Sequence, residues 1–236
     1  MTIDSSTHPS RSLPMQPTAR TTGTRLSART VLDRDRFLAL MRDALVAHVG
    51  VDMGSHPVVL PSAYAVDPDG PDEGGTLYLH GSVGAGWIRA GRSTTVCVTV
   101  TELDGLVAAR SRFHHSMNYR SAVVIGAARV VSDEAERARA LDLIIDHMIP
   151  GRSTTTLRPD TRKELAATEV LAVPLVEASM KERQGGPGDE PEDVAAGGWA
   201  GHVPLRRIAG PPVTADDAEG EVPPEVAARA RMLGAG

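Results

Sequence analysis

Hydrophobic positions change period along the 236-residue chain, and each change predicts an element. Between Asp33 and Val49, Phe37, Met41, Ala44 and His48 recur at helical spacing, with Leu40, Leu45 and Val49 beside them. Acids open the stretch and Gly50 follows it, so the pattern predicts one amphipathic helix. From His56 the pattern shortens to strands. These are predicted over 57–66, 76–80, 94–103, 106–113, 119–131 and 170–178. Asp104-Gly105 reads as a two-residue hairpin turn, 81–86 as a glycine-rich turn, Gly126 as a bulge, and Pro174 as an edge or bulge. A second helix follows Ser132 or Asp133, with Ala138, Leu141, Ile145 and Met148 on one face, and stops at Pro150-Gly151. Thr161-Arg162-Lys163-Glu164 has the form of a capping box for a short third helix. Hairpin-linked strands with helices at the ends imply a mainly β fold with peripheral α-helices, an antiparallel barrel.

The flanks lack such periods. Residues 1–28 mix Ser, Thr, Pro and Arg and read as a disordered or draped arm, leaving 29–210 as the folded domain and 211–236 as a tail with a weak helix over 224–232. Gln184 to Gly198 reads as a flexible loop. This length suits one core.

Charge narrows the function. A net charge of −5 and a pI near 5.9 argue against a nucleic-acid or membrane-surface binder, which would carry a basic stripe. The single Cys97 excludes an internal disulfide or a cysteine zinc cluster. With no long apolar run and no signal-peptide pattern, the expectation is a soluble cytoplasmic protein.

Chemistry concentrates in Phe113-His114-His115-Ser116-Met117-Asn118-Tyr119-Arg120-Ser121, a polar cluster that runs into an apolar strand. Arg120 and Ser121 suit phosphate oxygens. Lys181 and Arg183, past the last strand, either add positive charge there or are solvated at a strand end. Adjacent strand histidines face opposite ways, so His114 and His115 do not chelate one metal. Gly81-x-x-Gly84-x-Gly86 lacks the Lys-Ser/Thr of a P-loop, and no Gly-x-Ser-x-Gly elbow is present.

Together, His114 to Ser121, the earlier Tyr78-Leu79-His80-Gly81-Ser82 and the later Trp199-Ala200-Gly201-His202-Val203-Pro204-Leu205 resemble the flavin-nucleotide-binding branch of the pyridoxamine 5′-phosphate oxidase-like family. The resemblance runs from about Arg29 to Ile208. It implies an FMN-binding split β-barrel, a homodimer with flavin at the subunit interface, and a cofactor site of His80, Gly81, Ser82, Asn118, Tyr119, Arg120, Ser121, Lys181 and Trp199. Where the family carries basic residues after the second strand, this chain has Gly84-Ala85-Gly86, with Arg89 the nearby substitute. His80 or His115 is the candidate donor to flavin N5. The expected function is an FMN-dependent oxidoreductase that passes hydride or electrons to a small planar acceptor such as a nitroaromatic or quinone. The alternatives are a flavin carrier or redox sensor without turnover, or the same barrel with deazaflavin F420 or haem. If Arg120 grips the phosphate, Arg120→Ala weakens FMN binding by about 1.5–3 kcal/mol.

Overall fold

The computed structural model describes residues 15–92, 94–155 and 157–234. The described strands form two antiparallel sheets that share a core, with helices at the periphery, which is the split barrel. The larger sheet has the order β1-β10-β7-β6-β2-β3, made of Thr30–Val31, Ala178–Arg183, Ser116–Ala127, Thr95–Ala108, Ala47–Asp52 and Pro57–Ser62. The smaller has the order β4-β5-β9-β8, from Tyr64–Asp67, Thr76–Ser82, Thr168–Pro174 and Arg129–Val130. Val49, Val98, Val100, Val124, Leu77, Leu79, Leu171 and Val173 meet between the sheets, and α1 (Arg34–Asp43) adds Phe37, Leu40 and Met41. α3 (Glu134–Met148) covers the other face of the smaller sheet with Ala140 and Ile144 against Tyr78, Val170 and Ala172.

The predicted helix over Asp33–Val49 ends at Asp43, and from Ala47 the chain is strand β2. Its residues alternate buried Ala47, Val49 and Val51 with exposed or half-exposed His48, Gly50 and Asp52, a period of two that pairing with β3 and β6 selects. The Tyr64 hydroxyl donates at 2.7 Å to the Met41 carbonyl and 2.9 Å to that of Ala44, closing the helix end. Predicted strand 57–66 breaks at Ala63 and crosses between sheets. Predicted strand 170–178 is the junction of β9 and β10.

Asp104-Gly105 is not a hairpin turn. β6 runs straight through it against β7 and shifts register between Leu103 and Gly105, so the bulge lies here and not at Gly126. β11 (Gly201–Pro204) pairs with β6 beyond the bulge, and a side chain at Gly105 would stand 3.0 Å from the Val203 carbonyl oxygen. Gly126 has a packing reason instead: a Cβ there would lie 2.8 Å from Val173 Cγ1. The buried stripe of α3 is Ala140 and Ile144, while Ile145 and Met148 of the predicted face are exposed. The predicted capping box is present at the start of α4 (Arg162–Ala167), and the loop after Arg183 contains α5 (Pro191–Ala196).

Of the N-terminal arm, residues 1–14 lie outside the described residues. The rest lies against the larger sheet, with Met15 and Thr21 buried. In the tail, α6 (Pro224–Gly234) docks on the end of α3: Arg229 Nε donates to the Met148 carbonyl at 2.8 Å, and Arg152 pairs with Glu225 at 2.7 Å. No helix among the described residues is long and apolar enough to cross a membrane.

Candidate functional site

β7 and β10 run side by side with Ser121 opposite Lys181 and Val123 opposite Ser179. Alternation turns Ala122, Val124, Ala178 and Met180 into the core, so these four partners stand on the outer face of the sheet. The arm crosses over them. Between arm and sheet lies a cavity of about 280 Å³, lined by Arg20, Thr21, Thr22, Gly23, Ser121, Val123, Ser179 and Lys181. Both ionisable groups in that wall are cations. Among the described residues no carboxylate lines it: Glu177, which holds Arg20 through Nε at 3.0 Å, stands outside the lining. Among the described residues, Lys181 Nζ donates only to the Arg25 carbonyl, at 3.3 Å, and the hydroxyls of Ser121 and Ser179 make no hydrogen bond. A cation with no carboxylate partner facing two unspent hydroxyls is a site for an oxyanion.

Arg120 points elsewhere. Its Nε and Nη2 fork onto Asp104 at 3.0 Å each, with Asp43 3.4 Å from Nη1. Hydrogen bonds to Asp104 raise its pKa, so the guanidinium is a committed cation across the β6 bulge. Asn118 is buried, and its Oδ1 accepts from Arg183 Nη1 at 2.5 Å. Arg183 also donates to the carbonyls of Gly185 and Gly186, so it fixes the following loop while staying partly exposed. Tyr119 is half-buried opposite Leu103 and Arg183.

His80, Gly81 and Ser82 lie in the smaller sheet, opposite Val170, Glu169 and Thr168, and none lines the cavity. Gly81 is a packing glycine: a Cβ would stand 2.9 Å from Ile88 and 3.1 Å from Trp87, both on α2 (Gly86–Gly91). Ser82 Oγ accepts the Gly84 amide at 3.2 Å, and Arg89 donates to the Gly84 carbonyl at 2.7 Å, so that arginine secures its own loop. Burial holds the His80 imidazole below its ordinary pKa of 6.5, and its Nδ1 is buried without a hydrogen-bond partner. His115 is exposed with Nδ1 2.8 Å from the Ser111 carbonyl, and His114 faces Glu190 at 3.4 Å. Trp199 is 71% exposed; its loop is tied to Arg110, which donates to Asp189 at 2.8 Å and to the Gly198 carbonyl at 3.1 Å.

Of the residues expected from sequence, the cavity therefore brings together Ser121 and Lys181. Sequence reasoning missed Ser179, Arg20 and Gly23. Ser179 could have been found, since it alternates with Lys181 on one strand. The arm residues carry no periodic signal.

The fold is a split barrel with a cation-lined cavity on the outer face of its larger sheet. The chain belongs to the pyridoxamine 5′-phosphate oxidase family, whose sequence profile matches residues 33–182. Two solved structures correspond to it over nearly their whole length. The flavocytochrome Anf3 from Azotobacter vinelandii is 35% identical, with a TM-score of 0.82, covering 93% of this chain and 99% of that one. The FAD and haem binding protein from Mycobacterium smegmatis is 40% identical, with a TM-score of 0.77, covering 87% and 97%. No curated protein matches.

Proposed function

We propose that this chain is a flavin-binding redox protein that also carries haem and works as a homodimer. The observation that carries this reading is the near full-length correspondence, at 35% and 40% identity, to a flavocytochrome and to an FAD and haem binding protein. The sequence pointed to FMN as the flavin and named haem as an alternative to it. The relatives favour FMN or FAD together with haem.

The residues present fit a flavin nucleotide. Lys181, Ser121 and Ser179 suit the phosphate. At about 280 Å³ the cavity has room for a phosphorylated tail but is too small for the whole nucleotide. The ring then needs the neighbouring outer face of the sheet, where β6 and β7 place Cys97, Thr99, Val123 and Ile125, all half-exposed. A second copy laid on that face would exclude water from it, which is the physical argument for a homodimer. Bound flavin and haem would supply hydride and single-electron transfer, and the chain's part is to hold them, orient them and keep water out.

His80 would offer a neutral imidazole with an unpartnered Nδ1 to hold a haem or to donate to a flavin. The test is the absorption spectrum of the purified full-length protein, with identification of any flavin released on denaturation. We expect FMN or FAD and a Soret band. A colourless protein that gains no thermal stability from FMN, FAD or haemin overturns the reading. Reduction of a nitroaromatic or quinone by the holoprotein tests for a small planar acceptor; a flavin carrier or redox sensor would show none.

A further inference from the structure

The N-terminal arm has no hydrophobic period, yet it is held against the sheet by specific contacts. Thr18 and Arg20 both donate to the Glu177 carboxylate, in the turn between β9 and β10. Thr21 and Thr22 fold back on Thr18, with Thr18 N donating to Thr21 Oγ1 at 2.8 Å and Thr22 N to the Thr18 carbonyl at 2.8 Å. The Met15 amide donates to the Leu32 carbonyl at 3.0 Å. Beyond this tight turn comes Gly23, where any side chain would collide with the end of Lys181. Glycine at 23 leaves the ammonium in place under the arm, and an added Cβ would push that flexible end aside. Glu177 engages Arg20, leaving Lys181 as the cation of the wall without a carboxylate.

We infer that residues Arg20–Gly23 are the second wall of the cofactor-tail pocket, closing with Lys181, Ser121 and Ser179 around an oxyanion, and that Glu177 is the latch that keeps this wall shut. The inference rests on the flavin and haem reading and extends it. It names arm residues that the family profile, which begins at residue 33, does not cover. The oxyanion is the phosphoryl group of a flavin nucleotide or the propionate of a haem, and affinity measurements separate the two.

The experiment uses the full-length protein freed of bound cofactor and three variants, Gly23→Val, Lys181→Met and Glu177→Gln. Affinities for FMN, riboflavin and haemin are measured by titration, and inorganic pyrophosphate is added as a competitor. Gly23→Val and Lys181→Met should each weaken binding of the matching cofactor at least ten-fold, and Glu177→Gln should speed its release. Loss for FMN with riboflavin unchanged and pyrophosphate competing identifies a phosphoryl group. Loss for haemin with FMN unchanged identifies a propionate. Variants that keep wild-type affinity and release rates for both overturn the inference while leaving the flavin and haem reading intact. If the wild-type chain binds none of FMN, FAD and haemin, the broader reading falls instead; an absence of thermal stabilisation by pyrophosphate would then remove the pocket as well.

Discussion

Asp104 decides what Arg120 does. Two parallel hydrogen bonds occupy the guanidinium fork, so Arg120→Ala should lower stability by about 1 kcal/mol, discounted for partial exposure, in denaturant unfolding. Its effect on flavin affinity should be smaller than that of Lys181→Met, and a titration of both variants checks this. Residue type alone marked Arg120 as an anion binder, but one chain of sequence does not say which acid comes within reach once strands pair. Lys181 was singled out for the same chemistry and has no carboxylate partner in the cavity wall. The difference is tertiary.

His80 and His147 carry a pH signature. Burial lowers the pKa of both, so between the folded values and 6.5 the unfolded chain binds more protons than the folded one. Stability should therefore be fully present above about pH 6.5 and fall as pH drops below it through the folded values. Chemical denaturation at pH 7.5 and 5.5 measures it, and His80→Gln should flatten the slope. The same variant reports on function: loss of the Soret band with flavin retained is the result expected if His80 would help to hold a haem.

Among elements, those with strong local signals were readable in the sequence and those that depend on partners were not. Thr161-Arg162-Lys163-Glu164 is a self-contained exchange of hydrogen bonds, and α4 begins there. Asp133 likewise caps α3 by accepting the Glu136 amide at 2.8 Å. The stretch after Asp43 satisfies both periods, and pairing with β3 and β6 settles it as strand. Asp104-Gly105 has the composition of a hairpin turn, but β7 and β11 on either side of β6 hold it extended. Gly126 sits where the sheets close on each other, so Gly126→Ala should cost about 1–3 kcal/mol by overpacking against Val173. Thermal unfolding reads that loss directly.

For the whole molecule, the outer face of the larger sheet joins the fold to the proposed function. Its half-exposed Cys97, Thr99, Val123 and Ile125 continue from the oxyanion cavity across β6 and β7. Light scattering after gel filtration should give twice the mass of the 24.9 kDa chain. A bulky charge on this face, Val123→Glu, should shift it to monomer with loss of cofactor colour. The sequence led to the barrel through its family motifs and, of the cavity wall, to Ser121 and Lys181 alone. The arm's part comes from a turn of threonines and one distant carboxylate, contacts that leave no repeating signature.

The fourteen-residue length of β6 carries a hazard of its own. Past the bulge, its rim at Gly105–Ala108 is shielded by nothing more than the four residues of β11. A protease cut in the Gly197-Gly198 linker would untie one end of that cover, and its departure would bare a row of amides and carbonyls beside exposed Leu106 and Met117. Nicked molecules should then template onto one another and come out of solution as strand-rich aggregate while intact ones stay dispersed.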